Sequence, residues 1–336
     1  MDNSLLSPRV SIIIPVYNGE KFIPRMIECL KGQDFEQFEV IFVNDGSKDQ
    51  TKDVLEKQNG SDLPFIYKVF HQENAGVSAA RNKGLENAQG KYVCFIDVDD
   101  IIASDYLTVL YNAAIETETR IAVAHITRCV GDLDAKEIMD AHCWTSFEFL
   151  RRFLYQGIKY SLCACIFARE CFEEHNIKFP VGYRYSEDVY VMWQLFAYEV
   201  TIAEIERRLY FYYDNPHSAM NTGIDIRRLD AVKLMQKLES FMSVITPEFA
   251  VEFKRYVVAR HHWSILWQAA TRIASFDDFK EYCEHFKMRE ELKKMIRYPE
   301  IRVSLSSLVY VISPRMYYYL LRSVVSFIKL IKKESK

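Results

Sequence analysis

Tyr92-Val93-Cys94-Phe95-Ile96-Asp97-Val98-Asp99-Asp100 joins five apolar residues to three acids within four positions. The apolar run has the composition of a short strand buried on both faces, as in a parallel sheet covered by helices. Carboxylates this close repel one another unless a positive charge lies among them. A hard divalent cation such as magnesium or manganese relieves the repulsion, taking one or two protein carboxylates and filling its shell with substrate phosphates. Acids that open a helix and face the positive end of its dipole relieve it too. Either way, polar groups directly after a buried strand lie where open α/β sheets bind ligands, beyond the carboxyl ends of their strands.

The same pattern extends on both sides. Val10 to Val16, Phe38 to Val43, Phe65 to Phe70 and Ile121 to Thr127 read as further strands. Between them, Glu20 to Leu30 carries Phe22, Ile23, Met26, Ile27 and Leu30 at helical spacing, and Asp49 to Lys57 and Ser78 to Ala88 are also helical. Ser104 is a candidate cap for a helix running to about Glu116. This alternation predicts an α/β class, doubly wound sheet with helices on both faces. From Phe147 helical segments dominate, broken by Pro180-Val181-Gly182 and a strand-like run from Val200 to Tyr213, and after Asn221 the chain reads as helices with short breaks. The expected division is a sheet domain over 1–222 (halves about 8–127 and 128–222), a helical region over 223–311, and a terminal helix over 312–336.

Three further polar stretches follow strands. Tyr17-Asn18 follows the first. In Asn44-Asp45-Gly46-Ser47, Gly46 and Ser47 suit a tight turn and a cap, and Asp45 suits hydrogen bonds from a base or ribose, or an ordinary strand-to-helix turn. In the stretch from Gln72 to Gly84, Gly76 permits close backbone approach, Ser78 opens a helix, and Arg81 is placed to meet a phosphate. Neither a Walker loop nor a dinucleotide-binding glycine fingerprint is present.

Taken in order, Pro15-Val16-Tyr17-Asn18, Asn44-Asp45-Gly46-Ser47, Asn74-Ala75-Gly76, Ala80-Arg81-Asn82 and Asp97-Val98-Asp99-Asp100 resemble the family 2 inverting glycosyltransferases with the GT-A fold, as found in bacterial cell-surface polysaccharide synthesis. The match spans about Val10 to Tyr106. The resemblance implies a nucleotide-diphospho-sugar transferase with a mixed sheet followed by helices. It implies that Pro15, Tyr17 and Glu20 line the nucleotide pocket, that Asp45 contacts the base, usually uracil, and that Asn74, Gly76 and Arg81 lie beside the donor. Asp97 would reach the ribose, and Asp99 would coordinate a Mn2+ or Mg2+ ion bridging the diphosphate. Val98 stands where the family often has serine or alanine, so this donor-site position offers no side-chain hydrogen bond. Tyr185-Ser186-Glu187-Asp188 resembles the family's glutamate-aspartate motif, which makes Asp188 the expected base. Glu187, Asp100 and Ser218 are expected to support it or the acceptor. His217 is either a third metal ligand or phosphate donor, or a surface-loop histidine. The implied acceptor is a saccharide or lipid-linked saccharide. Two rivals share parts of this pattern: a nucleotidyltransferase that makes nucleotide sugars, though the stretch Pro15 to Gly19 holds one glycine where such enzymes have a glycine-rich loop, and a non-catalytic scaffold that binds them.

The remaining sequence bounds the setting. Hydrophobic residues are 49% and charged residues 26%, as in an ordinary globular protein, and the net charge of −3 argues against broad nucleic-acid binding. From Ile301 to Lys336 seven basic residues face one acid, Glu334, so this tail carries +6 and the first 300 residues −9. Arg315, Arg322, Lys329 and Lys333 fall on one side of a helix opposite Leu320, Val324, Phe327 and Ile331. That pattern predicts either a basic amphipathic helix at a membrane surface or a terminal helix packed on the body. The eight cysteines are scattered without a zinc pattern, and Met1 to Pro8 is polar, so a cytoplasmic chain with reduced thiols, peripheral on the inner face of the membrane, is expected. His261 and His262 read as packing residues, and the helical second half offers a surface for a homodimer.

Overall fold

The computed structural model describes residues 7–58, 61–133, 140–156, 159–213 and 226–334, and the side chains of 226 and 328–334 lie outside this description. The chain divides into two compact units, one of Met1–Tyr183 with Glu187–Ser218 and one of Arg184–Ser186 with Ala219–Lys336.

The first unit is built on one mixed sheet. Its strands are β1 (Val10–Val16), β2 (Phe38–Asp45), β3 (Ile66–Gln72), β4 (Tyr92–Phe95), β5 (Ile101–Ile102), β6 (Ile121–Thr127), β7 (His142–Thr145), β8 (Cys165–Ala168) and β9 (Thr201–Phe211). They run in the order β3-β2-β1-β4-β8-β6-β9-β5, with β7 paired to β9. The pairs from β3 to β4 are parallel, and β8 is antiparallel to both β4 and β6. Helices α1 (Ile23–Lys31), α2 (Thr51–Glu56), α3 (Val77–Glu86), α4 (Tyr106–Glu116), α5 (Ser146–Gln156), α6 (Glu170–Glu174) and α7 (Glu187–Tyr198) lie between the strands. The β-branched run of β1 is buried almost throughout, as a strand covered on both faces requires. Close packing fixes one residue of α3: a β-carbon on Gly84 would stand 2.3 Å from Ile13 Cγ2, inside contact distance.

One local expectation changes. Ser104 does not cap α4; the helix begins at Tyr106 after Asp105, whose carboxylate pairs with Arg207 of β9 at 2.8 Å instead of capping. Cys163 and Ala164 lie in a 3-10 turn over Leu162–Ala164, with Ser161 Oγ accepting from Cys163 N, and Cys165 then opens β8. This short inserted strand reverses the parallel order at the centre of the sheet.

Under β9 lies a buried polar network. Glu204 is 1% exposed and accepts from His125 Nε2 (2.9 Å), Tyr160 Oη (2.6 Å), Trp144 Nε1 (2.8 Å) and Arg152 Nη2 (2.8 Å). Burial pushes the Glu204 carboxyl up, but these donors outweigh it and hold its pKa down at about 2.

The second unit is helical: α8 (Leu229–Ile245), α9 (Pro247–Arg272), α10 (Phe276–His285), α11 (Met288–Met295), α12 (Ile301–Ile312) and α13 (Pro314–Glu334). His261 and His262 each place Nδ1 2.9 Å from the carbonyl four residues back, and burial lowers both pKa values, as packing residues would show. Tyr317 and Tyr318 of α13 are buried. Tyr318 Oη donates to the Ile273 and Ala274 carbonyls, and Arg322 donates to those of Ala270 and Ile273, so α13 satisfies carbonyls at the end of α9 and just beyond it. No helix among the described residues is long and apolar enough to cross a membrane.

Candidate active site

The loops after β1 and β2 are tied together by side chains. Asn18, in the left-handed region at φ 50°, donates its N–H to Ser47 Oγ and accepts from Lys48 N. Gly19 N donates to Thr51 Oγ1, and Glu20 Oε2 accepts from Gln50 N. Glu20 thus braces the loop opposite it. Pro15 is half-buried in register with Val43, and Tyr17 stands 49% exposed at the end of β1.

Asp45 ends β2 and is nearly buried. Its Oδ1 accepts from Gln72 Nε2 and Ala75 N, its Oδ2 accepts from Gly76 N, and its carbonyl accepts from Asn74 Nδ2. One carboxylate therefore shapes the loop that carries Asn74 and Gly76 into α3. Gly46 permits this: its φ is +66°, and a β-carbon there would stand 2.6 Å from Asn74 N.

Arg81, one turn into α3, is 4% exposed and lies over the Phe179 ring at 5.5 Å. Its Nη2 reaches Asp97 Oδ1 at 2.9 Å, and its Nη1 reaches Glu187 Oε1 at 3.1 Å. This guanidinium joins the two acidic motifs, and Glu187 lies 106 residues from Arg81 in the chain. Burial opposes its charge, but Asp97 and Glu187 outweigh burial and raise its pKa above the ordinary value. Glu187 and Asp188 open α7 directly after Ser186, which is left-handed at φ 63°. Burial, then the neighbouring Asp188 charge, raises the Glu187 pKa against the pull of Arg81. Burial also raises the Asp188 pKa, with Asp97 adding to the rise and Arg81 and the Val189 N–H opposing it.

The acids from 97 to 100 divide by burial. Asp97 and Asp99 are half-exposed, whereas Val98 and Asp100 are buried. Val98 packs toward Gly19, where a β-carbon would stand 3.3 Å away. Asp100 accepts from Tyr210 Oη and Tyr213 N, and Tyr210 Oη accepts in turn from Asp97 N. Burial, then the Asp97 charge, pushes the Asp100 carboxyl up to about 8. Asp100 thus anchors the end of β9 under the loop. Arg25 of α1 donates to the Asp99 carbonyl and lies 5.1 Å from the Tyr213 ring centre. Arg25, Phe179 and Tyr210 were not singled out in the sequence; Arg25 and Tyr210 sit in an apolar helix and strand, and Phe179 in the irregular segment between α6 and α7, none of which carries a mark of the site.

Among the described residues no group of three or more His, Cys, Asp or Glu side chains is arranged to hold a metal ion. His217 and Ser218 lie outside the described residues. The half-exposed Asp99 carboxylate among excess acid fits a hard divalent ion that draws its remaining ligands from diphosphate and water.

Residues 11–174 match the family model described as glycosyl transferase family 2. This part of the chain is a family 2 glycosyltransferase domain. EpsH of Bacillus subtilis (strain 168) is 30% identical over 214 residues, covering 61% of this chain and 61% of that relative. The chain thus spans about three fifths of the length of EpsH. The crystal structure of S. aureus TarS 1-349 in complex with UDP-GlcNAc superposes with TM-score 0.65 at 20% identity, covering 95% of this chain and 91% of that one. The mannosyltransferase PcManGT from Pyrobaculum calidifontis, in complex with GDP-Man and Mn2+, superposes with TM-score 0.59 at 15% identity, covering 92% and 88%. The family 2 domain accordingly has the GT-A fold, with a helical region following it.

Proposed function

We propose that the chain is an inverting glycosyltransferase that moves a sugar from a nucleotide-diphosphate sugar, a UDP-sugar, to a saccharide or lipid-linked saccharide in surface polysaccharide synthesis. The observation that carries this reading is the Arg81 bridge, which ties the Asp97 acid motif to Glu187 beside Asp188. A donor-side acid and a candidate base are thereby held around one cation. Asp188 takes the proton of the acceptor hydroxyl, whose oxygen forms a bond to the anomeric carbon from the face opposite the departing group. The bond from that carbon to the diphosphate oxygen breaks, and the nucleoside diphosphate leaves with its electron pair. A raised pKa suits Asp188 to this work, because a stronger base takes the proton more readily. Tyr17, Pro15 and the 72–76 loop held by Asp45 line the nucleotide, and Asp97 faces the ribose. Asp99, with His217, would hold Mn2+ or Mg2+, which when bound supplies positive charge to the diphosphate oxygens. The donor half is assigned to about 8–127 and the acceptor half to about 128–222. The basic helix α13 brings the chain to the inner face of the membrane, where a lipid-linked acceptor resides.

The test is product analysis with a panel of nucleotide sugars, with and without Mn2+ or Mg2+. Release of nucleoside diphosphate with a product of opposite anomeric configuration supports the reading. Pyrophosphate release would mark a nucleotidyltransferase, and binding without turnover on any saccharide acceptor would mark a scaffold.

A further inference from the structure

Helix α12 turns an unusual face outward. Ile301, Leu305, Leu308 and Ile312 recur at helical spacing along one narrow stripe and are 80%, 58%, 37% and 65% exposed. Val303, Ser307 and Tyr310 on the opposite side are buried. The outer face of a surface helix ordinarily carries charge, whereas this stripe is aliphatic and the exposed Arg302 lies at its flank. After Ser313 the arrangement repeats in α13. Tyr317, Tyr318 and Leu321 are buried, while Met316, Leu320, Val324 and Phe327 are exposed on the far side, with Tyr319 beside them. The Tyr310 and Tyr317 rings, 5.6 Å apart, join the inner faces of the two helices.

Charge chooses the occupant of this surface. Residues 301–336 carry seven bases against one acid. Pairing the stripe with its copy on a second chain would oppose two surfaces of the same sign, which disfavours the self-association that the apolar area alone would allow. An occupant both apolar and anionic has no such conflict. Three of the bases are already used within the unit: Arg302 on Glu300 at 2.6 Å, Arg322 on the α9 carbonyls and Arg315 over the Phe276 ring at 5.6 Å. The sequence adds Lys329, Lys332 and Lys333 in the last turns of α13.

We infer that α12 and α13 together form a two-helix platform seated in the interfacial layer of an anionic phospholipid bilayer, with α12 as an apolar insert and the lysine-rich end of α13 on the headgroups. The inference extends the membrane reading of α13 above and does not depend on the transfer chemistry. The test is flotation of the full chain with vesicles of phosphatidylcholine alone, or with about one third phosphatidylglycerol. The full chain should float with the anionic vesicles and much less with the neutral ones. Leu305→Glu with Leu308→Glu, leaving α13 untouched, should lower the bound fraction about tenfold or more. Both positions are exposed, so the thermal melt should not move; if it does, Ile301→Gln with Ile312→Gln takes its place. Flotation of the α12 variants equal to wild type would overturn the platform and leave α13 as the sole anchor. A dimer seen by light scattering that the glutamates dissolve, without flotation, would make the stripe a self-interface and overturn it too. Failure of the full chain to float on either vesicle removes both membrane readings, while nucleoside diphosphate release by the same sample reports separately on the transferase reading.

Discussion

Arg81 is the residue on which the candidate site turns. Removing it leaves Asp97 and Glu187 facing each other without the cation between them. Arg81→Met should cost about 3–5 kcal/mol of stability, the usual result of breaking a buried ion pair from one side. Arg81→Lys should recover only part of that, because a single ammonium does not reproduce the two-pronged reach of a guanidinium. A chemical-denaturation series on the three proteins measures this, and equal stabilities would show that the bridge carries no energy. The sign of a second effect follows from the Asp188 environment, where Arg81 favours the carboxylate. Without that charge Asp188 keeps its proton to higher pH, so the acid limb of kcat/KM should move upward in Arg81→Met. Asp188→Asn should lower kcat about 10²–10⁴-fold while the dissociation constant for nucleotide stays within about twofold; unchanged turnover would remove Asp188 as the base. At this scale the sequence showed the acids but not their partners. Asp97, Asp99 and Asp188 were legible because carboxylates crowd at strand and helix ends. The bridge was not, because Arg81 and Glu187 meet only after the chain has folded. Asp45 illustrates the same limit: its position was evident, yet its hydrogen bonds to the amides of Ala75 and Gly76 are a tertiary fact.

Among the elements, the parallel strands β1 to β3 and their helices were readable because continuous β-branched runs and helical spacing differ in period. β8 escaped because the four residues Cys165–Ala168 carry no period of their own; only their place between β4 and β6 makes them a strand. β9 was seen as a strand but not as the element that secures its neighbours. Its Glu204 joins β6, β7, α5 and Tyr160 through one carboxylate. Glu204→Gln should lower stability by about 3–5 kcal/mol near neutral pH, since Arg152 keeps only the exposed and more distant Glu206 at 3.7 Å. The pH dependence has a definite sign. The Glu204 pKa in the folded state, about 2, lies below its ordinary value of 4.5, so its contribution is complete above pH 4.5 and is lost as pH falls toward 2. The gap in Tm between wild type and the variant should therefore narrow as the buffer moves from pH 7 toward pH 3. A gap of constant width would show that packing, not ionisation, sets the cost.

Across the whole molecule, charge is partitioned along the chain, with −9 in the first 300 residues and +6 in the last 36. The amphipathic spacing of the tail was legible in sequence; the burial of Tyr317 and Tyr318 and the inward turn of Arg322 were not, since a helix can bury an edge and expose a stripe at once. The acidic body bears on how ligands arrive. It repels a diphosphate at long range, so metal-free nucleotide should associate faster as salt rises toward the screening range, and stopped-flow binding at several ionic strengths measures this. A slower rate with added salt would point to local cations dominating the approach. The same imbalance is sharpest at the candidate site, where Arg81 answers both Asp97 and Glu187, with Asp99 and Asp188 next to them in the chain. There it couples the two expected ligands. A divalent ion alone leaves its outer coordination positions to water, and a diphosphate alone meets uncompensated carboxylates. Together each supplies the charge the other lacks. Thermodynamic reciprocity then requires that Mn2+ tighten nucleotide binding by the same factor by which nucleotide tightens Mn2+. Titration calorimetry in both orders should return one coupling constant, about tenfold or more, that collapses in Asp99→Ala.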